Sequence, residues 1–68
     1  MNRIEFQGQM NKHGDTKAKL AEYLGIHPKT LYLKYAGLEG RSFNQVEIKK
    51  IAERYQLTPE QIVQIFLS

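Results

Sequence analysis

The stretch LAEYLGIHPKTLYLKYAG, Leu20 to Gly37, constrains this chain more than any other part of it. Its apolar spacing is helical at both ends, yet Gly25 and Pro28 interrupt it three residues apart. Glycine ends helices because it accepts the left-handed conformation, whereas proline suits a first turn, where its missing N–H is not needed. One continuous helix would put the proline ring against the preceding turn. The stretch is therefore expected to form two short helices that meet at an angle.

The residues on either side extend the pattern. Helical spacing recurs along the chain, and alternation never persists long enough to signal a strand. A first segment from Asn2 to His13 has Ile4, Phe6 and Met10 as its apolar residues, is weakened by Gly8 and ends at Gly14. A second follows the capping candidates Asp15 and Thr16, presents Leu20, Ala21 and Leu24, and ends at Gly25. The third runs from Pro28 to Gly37, with Leu31 and Tyr35 four apart; a polar loop, Leu38 to Ser42, follows. The fourth has Asn44 as cap, Glu47 as its capping-box partner, a Phe43–Ile48 staple and a stripe of Ile48, Ile51, Ala52 and Tyr55. The fifth repeats that logic with Thr58, Pro59, Gln61 and a Leu57–Ile62 staple. The fold class expected is all-α, five short helices in one domain spanning residues 1–68.

Size and composition remove several functions. A chain of 68 residues is near the lower limit for independent folding and has no room for a deep enzyme cleft. It lacks cysteine, which excludes disulfides, thiolate zinc sites and cysteine nucleophiles and fits a reducing cytoplasm. Its apolar runs are too short to span a bilayer, and MNRIEFQGQM has no apolar signal-peptide region. His13 and His27 lack ligand spacing to an acidic partner, no glycine loop cradles a phosphate, and Glu47, Glu53 and Glu60 read as helix-surface and capping groups. No enzyme, cofactor or metal is expected.

The net charge is +3, and its placement is informative. Residues 12–41 hold six cations (Lys12, Lys17, Lys19, Lys29, Lys34 and Arg41) against Asp15, Glu22 and Glu39, while the charges on either side cancel. A local basic excess points to an anionic partner, nucleic acid being the commonest.

Thr16, Leu20, Ala21, Leu24, Gly25, Ile26, Thr30, Leu31 and Gly37 carry a further signal. At these spacings the chain resembles the helix-turn-helix of the phage repressor and Cro family, the Xre type, over about residues 17–36. The segment GRSFNQVEIKKIAERYQLTPEQIVQIF also resembles the second half of small Cro-like phage proteins. The resemblance implies a lambda-repressor-like domain in which Ile26 plugs the turn into the core, Leu31 faces inward and the third helix enters the major groove of operator DNA. It implies a sequence-specific transcriptional repressor, cytoplasmic in a bacterial host and binding as a homodimer. The alternative is a modulator or antirepressor that contacts a partner phage repressor. The sequence departs from the pattern at Lys17, where the family often has Gln, and at His27, the usual Ser cap.

With the third helix in the groove, His27, Pro28, Lys29, Tyr32 and Leu33 are the base-reading candidates. Lys29 suits guanine O6 or N7, and Pro28, Tyr32 and Leu33 suit thymine methyls. Thr16, Lys17, Lys34, Arg41 and Asn44 are the phosphate candidates. The apolar end, Ile62 to Ser68, is expected to supply core or a dimer surface.

Overall fold

Asn2, Thr16, His27, Asn44 and Thr58 each accept a hydrogen bond from a first-turn backbone N–H, and a helix starts after each of them. In the computed structural model, which describes residues 1–67, these helices are α1 (Arg3–Lys12), α2 (Lys17–Leu24), α3 (Pro28–Ala36), α4 (Gln45–Tyr55) and α5 (Pro59–Phe66). Among the described residues no strand forms. Both expected capping boxes close: Asn44 with Glu47, and Thr58 with Gln61. Among the described residues no helix is long and apolar enough to cross a membrane.

The ends of α1, α2 and α3 follow glycines, whereas those of α4 and α5 do not. Gly25 and Gly37 take left-handed conformations at φ +73° and +69°. α4 has no such glycine, and Gln56 takes the left-handed position itself at φ +53°. A side chain there is strained by about 1 kcal/mol. The stop is enforced because Thr58 and Pro59 must begin α5 two residues later.

The core is assembled around one ring. Phe6 is buried, and its centroid lies 5.6 Å from Tyr35, 5.7 Å from Phe43, 5.8 Å from Phe66 and 6.5 Å from Tyr55. A single α1 side chain thus touches α3, the segment before α4, α4 itself and α5. α1 buries only Phe6 and Met10, and Ile4 is 85% exposed. The start of α1 is held to α5 by the Asn2 amide, which donates to the Ile65 carbonyl at 2.7 Å. Leu20, Ala21, Leu24, Leu31, Ile51 and Ile65 join them in the interior. The expected apolar end is divided: Ile65 is buried, Val63 and Leu67 are exposed, and Ser68 lies outside the described residues.

A polar lock joins the α1–α2 connection to α4. The Asp15 side chain, 3% exposed, accepts from Arg54 Nε at 2.8 Å, Arg54 Nη2 at 2.9 Å and the Tyr55 hydroxyl at 2.5 Å. It also accepts from the Thr16 amide. The hydrogen-bonded Arg54 guanidinium lowers the Asp15 carboxyl to about 2, aided by Tyr55 and Thr16, although burial opposes the shift. Burial and the adjacent Asp15 carboxylate push the Tyr55 hydroxyl well above its usual range. Asp15 is thus not the cap of α2, a role that Thr16 fills.

Candidate nucleic-acid interface

α2 and α3 meet through a turn of three residues, Gly25 to His27. The left-handed Gly25 lets the Ile26 amide reach back and donate to the Ala21 carbonyl at 3.0 Å. Ile26 then packs against the core. Ala21 is fully buried where the helices approach, and Leu31 is buried on α3. The opposite side of α3 is left to solvent.

That free side begins with His27, whose Nδ1 accepts from the Lys29 amide at 3.0 Å. Histidine therefore performs the capping that serine usually supplies, by satisfying an N–H with no intrahelical acceptor. His27→Ala is expected to cost about 1 kcal/mol, and His27→Ser to restore it. Urea unfolding of the three proteins checks this; equal midpoints for His27→Ala and the parent would overturn it.

His27, Pro28, Lys29 and Tyr32 are all exposed, and Tyr32 retains half of its surface. Leu33 is half-buried, so it offers less surface than the other four. The chain matches no protein-family model, no curated protein and no solved structure. What α3 can bind therefore has to be read from its own side chains: one cation, one aromatic hydroxyl, a histidine and an apolar ring, on a helix narrow enough for a major groove.

The phosphate candidates occupy different environments. Arg41 is exposed. Thr16 and Asn44 are exposed too, with their side-chain oxygens capping α2 and α4. Lys17 is half-buried: its Nζ donates to Gln7 Oε1 at 3.1 Å and stands 4.4 Å from the centre of the Tyr35 ring. These contacts hold the ammonium at the start of α2 without neutralising it, since neither partner is an anion.

Lys34 does not keep the role expected of it. Its Nζ lies 2.7 and 2.6 Å from the two oxygens of Glu47, and the pair is largely buried, with side-chain exposures of 14% and 9%. The charge is spent within the fold. Glu47 is corrected with it: the carboxylate does cap α4, accepting from the Asn44 amide at 2.9 Å, but it is a buried bridge to α3 rather than a surface group. A buried carboxylate needs a partner, and the loop from Gly37 to Phe43 brings Lys34 to it. Nothing in local spacing signals this contact, because the two residues lie 13 apart and on different helices.

Proposed function

We propose that the protein is a sequence-specific DNA-binding transcriptional regulator of the Cro-like repressor type, which places α3 in the major groove of operator DNA. The observation that carries this reading is the outward face of α3. It projects His27, Pro28, Lys29 and Tyr32 into solvent from a helix whose inner face is pinned through Ala21, Ile26 and Leu31. Lys29 reads the base edge, most naturally guanine O6 or N7, while Pro28 and Tyr32 contact thymine methyls. Lys17, Arg41, Thr16 and Asn44 fix the register on the backbone. A homodimer reads two half-sites about one helical turn apart. The exposed Val63 and Leu67, beside an open cleft lined by Ile48, Ala52, Leu57, Ile62 and Phe66, are the surface best suited to that contact.

A second reading is favoured by one feature: the exposed face of α3 carries an aromatic ring and no Arg, Asn or Gln. Such a surface also suits a protein groove, and the partner would be a phage repressor. A gel-shift assay with the intergenic DNA beside the gene, with and without the neighbouring repressor, separates the two. Retardation by the protein alone supports DNA reading; an effect seen only with the repressor supports the second.

Two substitutions divide the contacts by kind. Lys29→Ala is expected to lower affinity and relax preference at one base pair by about 1–3 kcal/mol. Lys17→Ala is expected to weaken all sequences alike and to make the salt dependence shallower by roughly one unit of slope. Equal losses on specific and random duplexes for Lys29→Ala would remove it from base reading.

A further inference from the structure

We propose that Arg3, together with Arg41, forms a phosphate-binding cleft at the seam between α1 and the α3–α4 connection, so that α1 also grips the DNA backbone. The proposal rests on the DNA-binding reading above and adds to it a helix and a residue outside the helix-turn-helix.

The cleft is lined by Arg3, Lys34, Tyr35, Gly37, Arg41 and Ser42, among others, and among the described residues no acidic side chain lines it. Lys34 is already neutralised by Glu47. Arg3 and Arg41 are both exposed, and neither is in an ion pair among the described residues. Two unpaired guanidiniums on one concave surface repel each other unless an anion lies between them. Guanidinium is also the group whose planar fork matches phosphate oxygens in pairs.

The backbone supports the same polarity. Arg3 is the first residue of α1, so its amide and that of Ile4 have no intrahelical acceptor and the positive end of the helix lies at the cleft. The Tyr35 hydroxyl lies 3.5 Å from the Arg3 carbonyl, which ties this end of α1 to α3. Ser42 adds a hydroxyl donor.

The cleft does not stand alone. Arg3 and Tyr35 also line the adjoining groove along α1, with Gln7 and Asn11. Gln7 and the Tyr35 ring in turn hold Lys17. Lys17, Arg3 and Arg41 are thus linked along one seam through Gln7 and Tyr35. A row of cations suits a chain of phosphates better than a single small anion.

The test measures duplex binding against salt concentration for the parent, Arg3→Ala, Arg41→Ala and Arg3→Lys, with circular dichroism to check that each is folded. A second arm titrates the parent and Arg3→Ala with inorganic phosphate at low ionic strength and follows backbone amide shifts. Each alanine variant is expected to make the slope of log K against log salt shallower by about 0.9, with Arg3→Lys close to the parent. If the parent binds duplex and the alanine variants keep its slope, the cleft is overturned and the DNA reading stands. If the parent binds no duplex, the DNA reading fails and inorganic phosphate decides. Shifts at Arg3, Arg41 and Ser42 that vanish in Arg3→Ala sustain the cleft as a phosphate site; their absence in the parent overturns it.

Discussion

Phe6→Ala is expected to leave the chain largely unfolded at 37 °C. Removing a buried phenylalanine costs about 3–5 kcal/mol through lost transfer energy and the cavity left behind. The upper part of that range applies, because Phe6 meets Tyr35, Phe43, Tyr55 and Phe66 at once, and aromatic pairs add about 0.5–1.5 kcal/mol each beyond area burial. A 68-residue domain has little reserve, and each kcal/mol lowers the melting midpoint by roughly 4–8 °C. Phe6→Leu, which keeps most of the volume, should lose much less. Thermal melts followed by far-UV circular dichroism provide the check. A midpoint for Phe6→Ala within a few degrees of the parent would show that the four aromatic partners close the cavity without it.

Asp15→Asn is expected to destabilise the domain by about 2–4 kcal/mol at neutral pH, because it strands Arg54 beside a buried site that no longer carries charge. The loss falls below the extreme for buried pairs because Arg54 remains 28% exposed. The same lock sets a pH dependence. The Asp15 carboxyl is held at about 2 in the folded chain, below its ordinary value of 3.8, so folding favours the ionised form. Its contribution is complete above about pH 4 and is lost as pH falls towards about 2, a loss on the order of 2 kcal/mol. Urea unfolding of parent and Asp15→Asn at pH 7 and pH 2.5 tests both statements. The gap between them should narrow at the lower pH; an equal gap at both would show that the charge of Asp15 is not what stabilises the fold.

The helices themselves were legible in the residues. Start signals at Thr16, Asn44 and Thr58 correspond to observed caps, and Gly25 and Gly37 to observed ends. Such signals act within one turn, so a short window contains all the chemistry involved. Gln56 shows the limit. It takes a conformation that glycine favours, and only the demand of the next helix start explains it. The inward residues of α2 and α3 were equally legible, since Ala21, Leu24 and Leu31 follow helical spacing and are buried.

The candidate site divides along the same line. His27, Pro28, Lys29 and Tyr32 could be placed on an exposed face because their positions on α3 follow from the positions of Leu31 and Tyr35. Which cations remain free could not be read in this way. Lys34 and Lys17 look alike in sequence, yet one is neutralised by Glu47 and the other is held by a neutral amide and an aromatic ring. Asp15 looked like a cap and proved to be the anchor of Arg54 and Tyr55, 39 and 40 residues away.

By itself, then, the sequence determined five helices, their caps and the bend at Gly25 and Pro28, because these depend on backbone preferences and on neighbours three or four residues apart. The tertiary structure alone decided that Phe6 is the hub, that Lys34 is spent and that Arg3 joins Arg41 at a cleft. Those outcomes depend on which side chains arrive at the same place from distant parts of the chain, where the cost of burying an unpaired charge selects the partner.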